Sequence, residues 1–364
     1  MNNNQTYVYY FYVIFSFIFI VLTTNYLSLH DIIYVANQAD SLSYSEIAKH
    51  APGIPRDTAL VIKIVAQRFL VHYLVGSLAD IFKIDFFLVY KIFTFAFIFL
   101  YAFLINFLRK KFKLDLKESI LFFSLLFLNP YIVRHHIFNP AAAHDMLFFC
   151  LGLIFIYTIV NKNYFINLLI TAFSLYLRQT SIALFVGSSI FLLINRKIKL
   201  FLILLMFYFL SFLIIITVGK YISVDDFPIY LAYEIIFYDF SQVSKLIRFL
   251  LLPLVAFFPL FIVFFAKIKK KIDNKSIFII LFVCLMIVGQ PILAGPNGSL
   301  GNVGRLANLC YPILATLCFY IFDFKKILRN EYIYTGIIVG LLTWSLHPTF
   351  SKFNIFSFLR FYNY

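Results

Sequence analysis

Several residues in this chain could do chemistry together: Asp40 with Tyr44; Arg68; the run from Arg134 through His135, His136 and Asn139 to His144 and Asp145; the pair Arg178 and Gln179; and Arg305. A carboxylate takes a proton from a hydroxyl group, and a guanidinium grips phosphate through its planar fork. The set suits a substrate with a phosphate at one end and a polar group at the other. Acids are scarce, 16 in 364 residues, yet Asp31, Asp40, Glu46 and Asp57 all fall in the polar segment 30–57. Asp40 and Tyr44 stand four apart, which on a short helix puts them on one face. Asp40 is the candidate catalytic base. Asp31, nearer the preceding apolar run, is its main competitor.

Each residue also has a plainer reading. Asp40 could cap a short helix running through Tyr44 and Ile47, or be a solvated loop acid. His135 and His136 could rest at headgroup level. With His144 their spacing also admits a divalent cation, though no strong metal motif is present. Asp225 and Asp226 read as a solvated pair. Arg178, between two apolar arms, is harder to set aside, because an ionisable group inside a membrane segment is functional by default. Arg305 lies in the Gly- and Asn-rich stretch 295–312, just before an apolar run.

Positioning these groups falls to apolar elements. Hydrophobic residues make up 63% of the chain and charged ones 13%, against about 45–50% and about 25% in soluble domains. An all-α polytopic membrane protein follows, read as one transmembrane domain over 1–364 with no separate soluble domain. The formal charge of +15 sits in short clusters between apolar runs, an orientation signal and not a nucleic-acid-binding face. Cys150, Cys284, Cys310 and Cys318 lie in apolar runs without CxxC spacing and read as small buried hydrophobes.

Runs long enough to span cover 7–25, 86–107, 118–134, 144–160, 199–218, 246–267, 276–294, 308–323 and 332–348. The first reads as a retained anchor. Segment 165–194 is either one helix with Arg178 at its centre or a hairpin turning at Leu177-Arg178-Gln179-Thr180. The hairpin puts the clusters at 109–117, 196–199, 267–275 and 325–329 all on the cytoplasmic side, as the positive-inside rule asks. A single span would flip every later cluster and bury a lone arginine. About eleven helices result, with the N-terminus inside and the C-terminus outside. Eleven of the 16 acids then fall outside, and residues 26–85 form a large outer first loop. Within it 59–82, with Lys63, Gln67, Arg68, His72 and Asp80 among apolar residues, reads as an amphipathic interfacial helix.

The segment Asn37-Gln38-Ala39-Asp40-Ser41-Leu42-Ser43-Tyr44 and the segment 66–76, AQRFLVHYLVG, resemble the first-loop motifs of the GT-C superfamily of membrane glycosyltransferases. The plan of anchor, acidic outer loop, interfacial helices and a functional second outer loop is similar too. The resemblance covers about the first 180 residues. The chain has no DxD or WWD-type signature and only about sixteen residues after the last run, which leaves the subfamily open. The resemblance implies sugar transfer from a polyprenyl-phosphate donor to a glycan or lipid acceptor, at the outer face of a cell (inner) membrane. It puts the catalytic acid at Asp40 and the second-loop acid at Asp145. Arg178 and Arg305 are carried over to the phosphate by position only, with Arg68 a weaker candidate, and the residues themselves add Tyr44, His135, His136, Asn139 and Gln179 as the substrate lining. No cofactor is required by it, although a divalent cation is compatible. Other readings are a surface-glycan polymerase or ligase using a lipid diphosphate, and a multi-span transporter or flippase. The gathering of charge on one face, without an internal repeat, favours an enzyme over transport.

Overall fold

The computed structural model describes residues 1–25, 39–55, 61, 66–223, 251, 256–269, 272–299, 306–347 and 351–352, without the side chains of 39–41 and 291–299. Its main helices are α1 (Asn3–Thr23), α2 (Ala39–His50), α3 (Phe69–Phe82), α4 (Phe86–Phe112), α5 (Leu116–Phe127), α6 (Ala143–Val160), α7 (Tyr164–Ser174), α8 (Ser181–Ile194), α9 (Ile198–Ile222), α10 (Asn274–Ser299), α11 (Tyr311–Ile321) and α12 (Glu331–Ser345).

Local chemistry sets their limits. Asn2 with Gln5, and Asp115 with Glu118, form capping boxes that satisfy the first amides of α1 and α5. Asn163 and Asn330 cap α7 and α12. Lys83, Lys113, Lys162 and Arg196 take the left-handed conformation just past α3, α4, α6 and α8. A cation there ends the helix and also faces the negative pole of its dipole.

Four segments are long and apolar enough to cross a membrane: Asn3–Thr23, Phe86–Phe112, Pro140–Val160 and Ile198–Ile222. Leu116–Phe127 and Pro130–Phe138 make a fifth if taken together, bent by 42°. The bend falls at Pro130, where Asn129 caps a π-helical turn over Pro130–Arg134, as proline's missing donor requires. This is an all-α membrane protein.

Three expectations differ from the described residues. Helix α2 starts at Ala39, so Asp40 is its second residue and not its cap. The interfacial helix expected over 59–82 begins at Phe69, with Arg68 as its cap residue. The described end of the expected span 246–267 is 3-10 helix over Phe258–Phe265, followed by the short strand β1 (Lys267–Ile268).

Contacts divide the chain into two units. One holds Met1–Asn25, Leu100–Phe138 and Ala232–Tyr364; the other holds Tyr26–Phe99 and Asn139–Leu231. In the first unit, basic clusters far apart in sequence meet at one end. Phe112 packs edge-on against Tyr320 at 4.4 Å between ring centres. Strand β1 pairs with β2 (Phe322–Asp323) in antiparallel register. Lys117 Nζ donates to Leu328 O at 2.9 Å and pairs with Glu331 at 2.5 Å. Arg109 lies over the Tyr9 ring, so the start of α1 is at this end as well. The end of α1 lies at the other end, where Arg134 donates to Thr23 Oγ1 and Thr24 Oγ1 at 2.8 and 3.2 Å.

In the second unit α6, α7, α8 and α9 run up and down. Thr158 meets Asn167 at 3.0 Å and Thr171 meets Ser188 at 2.7 Å. Lys197 sits over Tyr164, which groups the cationic turns at 161–164 and 195–198 at one end. The start of α6, the turn 175–180 and the top of α9 share the other end with α2 and α3. There Ile222 packs with Tyr44, Ile47, Val61, Ala66 and Ala141.

Helices α2 and α3 touch through Gly76. A methyl group on Gly76 would lie 1.9 Å from the carbonyl oxygen of Ala48 and 2.8 Å from the Ala51 Cβ. Gly76→Ala should therefore destabilise the detergent-solubilised protein by about 1–3 kcal/mol, an overpacking cost. Gly336→Ala, with open space around it, should leave the melting temperature unchanged or raise it. Thermal unfolding of the two variants side by side checks this.

Candidate functional site

A buried polar chain lies where α2, the Gln67-Arg68 entry to α3, the start of α6 and the turn 175–180 meet. Arg178 Nη1 donates to Asp145 Oδ1, with both side chains almost fully buried, 3% and 2% exposed. The same carboxylate oxygen lies 3.1 Å from His144 Nε2. His144 Nε2 is also 3.3 Å from the Tyr44 hydroxyl. That hydroxyl accepts from Arg68 Nη1 at 3.0 Å. Arg68 Nε donates to Gln179 Oε1 at 2.8 Å, and Gln179 Nε2 donates to Gln67 Oε1 at 3.0 Å. The chain starts at a fully buried ion pair and ends at two half-buried glutamines, so it has a dry end and a wetter end.

A second set of contacts locks Tyr44. Its ring stacks on His72 at 4.1 Å. His72 Nδ1 lies 2.7 Å from the Tyr90 hydroxyl, which donates to the Tyr44 carbonyl at 3.2 Å. Tyr90 has one proton, so it accepts from His72 Nδ1–H while giving its own to the carbonyl. That assigns the Nδ1–H tautomer to His72. Burial, with the nearby His144 and Arg68 as smaller contributions, holds this imidazole well below its usual pKa, which keeps it neutral.

Of the residues expected from sequence, the structure brings Tyr44, Arg68, Asp145, Arg178 and Gln179 into this one chain. Asp40 is on α2, one turn before Tyr44, with its side chain outside the description. Asn139 is buried in the same unit, just before the 3-10 turn Pro140–Ala142. His135 and His136 are also buried but belong to the other unit, where His136 Nδ1 contacts the Ile132 carbonyl. Arg305 lies outside the described residues. Sequence reading overlooked Tyr90 altogether, since nothing marks it out among 25 tyrosines. It also missed the roles of Gln67 and His72, although the excess of polar residues in 59–82 was their signal, and it weighed His144 only as a metal ligand. Among the described residues no group of three or more metal-ligating side chains is present.

Removing one partner of a buried ion pair strands the other charge, at a cost of about 3–5 kcal/mol. Asp145→Asn and Arg178→Gln should each lower stability by about that much, whereas the double variant should recover a large part of the loss. A double-mutant cycle on chemical denaturation in detergent measures the coupling. Simple additivity would show that the pair does not hold the turn 175–180 to α6.

Compared with protein-family models, curated proteins and solved structures, the chain matches none.

Proposed function

We propose that the protein is a GT-C-like membrane glycosyltransferase, transferring a sugar from a polyprenyl-phosphate donor to a glycan or lipid acceptor on the non-cytoplasmic side. The observation that carries this is the polar chain from Asp145–Arg178 through His144, Tyr44 and Arg68 to Gln179 and Gln67. It joins the first-loop helices to the second outer loop and the Arg178 turn, three of the four places where the sequence concentrates outward polar groups.

Geometry favours this orientation. At 1.5 Å per residue, α7 and α8 reach only about 16 and 21 Å from their cationic turns, short of the roughly 30 Å hydrocarbon layer. In this reading Arg178 lies within the layer, and the donor's phosphate would have to reach it there. With the cationic turns inside, this end of the unit lies toward the non-cytoplasmic side. Asp40 is the base that accepts the acceptor's hydroxyl proton. Arg68 and Arg178 neutralise the leaving polyprenyl phosphate. A divalent cation is compatible with the reading and not required by it. A transporter is the second reading, since a broken hairpin carrying a charge at depth also suits substrate passage.

Single cysteines decide the orientation. Leu42→Cys should react with an impermeant thiol reagent added outside, whereas Arg196→Cys and Lys326→Cys should stay protected until the membrane is opened. Outside labelling at either of the last two sinks the hairpin assignment.

For the activity, membranes bearing the chain are supplied with a labelled polyprenyl-phosphate hexose, and transfer of label is followed. Loss of a general base typically slows a reaction about 10²–10⁴-fold, so Asp40→Asn should cut transfer by about that factor. Binding of undecaprenyl phosphate should survive in Asp40→Asn and weaken in Arg68→Ala. Full transfer in Asp40→Asn with loss in Asp31→Asn would move the base. Translocation of the labelled lipid without sugar transfer would establish the transporter.

A further inference from the structure

We propose that the basic end of the first unit is a docking ledge for anionic phospholipid headgroups. The sequence alone only places cations after apolar runs. Folding does more, because pairing of β1 with β2 sets Lys267 opposite Asp323 and so brings the cations of 267–269 to the segment that goes on to carry Lys325, Lys326 and Arg329. All five are exposed. Ion pairing among the described residues takes up little of this charge. Lys269 reaches Asp323 only at 3.8 Å, and Glu331 at this end is taken by Lys117. Lys267, Lys325, Lys326 and Arg329 have no ion-pair partner among the described residues.

The apolar half of the ledge selects the partner. Phe264, Phe265 and Ile268 are 78%, 75% and 75% exposed, directly beside Lys267 and Lys269. In water three large apolar side chains in five residues are unfavourable, whereas at a bilayer interface they seat at the acyl boundary while neighbouring lysines meet phosphates. A nucleic acid would satisfy the lysines and leave the apolar side chains wet. An anionic bilayer satisfies both.

The test is native mass spectrometry of the full chain released from nanodiscs containing equal phosphatidylglycerol and phosphatidylcholine, read as the ratio of the two lipids retained. Each cation near an anionic surface contributes about 1 kcal/mol, roughly fivefold in affinity. The variant Lys267→Gln, Lys325→Gln, Lys326→Gln, Arg329→Gln should therefore lose its preference for phosphatidylglycerol by at least about tenfold. The charge-conserving variant Lys267→Arg, Lys325→Arg, Lys326→Arg, Arg329→Lys should keep the preference and shows that loss is not misfolding. Raising salt should weaken retention in the parent and hardly affect the neutralised variant. An unchanged ratio in the neutralised variant overturns the proposal. So does a parent that retains both lipids equally, or a neutralised variant that loses only self-association.

Discussion

The ion pair between Asp145 and Arg178 is the interaction on which the second unit turns. Taking an isolated carboxylate or guanidinium out of water costs several kcal/mol after relaxation. Neither side chain could be nearly fully buried without the other. The pair therefore dictates two breaks in otherwise apolar sequence. Helix α7 stops at Ser174 and α8 starts at Ser181 so that Arg178 can turn inward, and α6 begins at Ala143 with His144 and Asp145 in its first turn. Tyr44, Arg68 and the two glutamines attach to charges already fixed in place. They extend an existing constraint and do not create one.

A hairpin holding a buried charge must itself be held. In lipid, apolar packing between helices gains little, because acyl chains are as apolar as leucine, so small polar contacts matter more. Helix α7 uses them on both sides. Asn167 donates to Thr158 of α6, and the Thr171 hydroxyl meets Ser188 of α8. Individually such bonds average about 0.6 kcal/mol in one membrane protein. Together they fix the rotation of α7 so that the turn following it faces α6. The short arms and the hydroxyl ladder serve one end, a guanidinium kept at a set depth.

Much of this was legible in the sequence. The hairpin followed from charge alternation and from the cost of an unpaired Arg178, and its turn at 175–180 contains the four residues named for it. The apolar runs at 86–107, 144–160 and 199–218 correspond to α4, α6 and α9, which extend past them only at the ends. What could not be read were the features that depend on three-dimensional partners. A bend at Pro130 looks, in sequence, like one continuous apolar run. Grouping Arg134, His135 and His136 with Asp145 was natural because they share a loop, yet the contacts put the first three and Asp145 in different units. The assignment of Tyr90 rests on a single hydroxyl, and Gly76 rests on a carbonyl from another helix. Neither leaves a periodic signal.

The tightest constraint at the site falls on Tyr44, and it reaches Asp40 through the backbone. Tyr44 is held at three points that demand different orientations. Its carbonyl accepts from Tyr90, its ring face lies against His72, and its hydroxyl meets both Arg68 and His144. A rotation of α2 by one residue, about 100° about its axis, would break all of these contacts at once. Gly76 closes the remaining freedom, because the carbonyl of Ala48 already occupies the space a side chain would need. Helix α2 therefore has one register against α3 and α6. In that register position 40 stands one turn from Tyr44 on the same face, about 6 Å away along the helix. The placement of the proposed base thus rests on tyrosine and histidine contacts that include no carboxylate. Tyr90 supports Asp40 in just this sense: it sets the tautomer of His72, which packs on the ring that fixes the turn on which Asp40 stands.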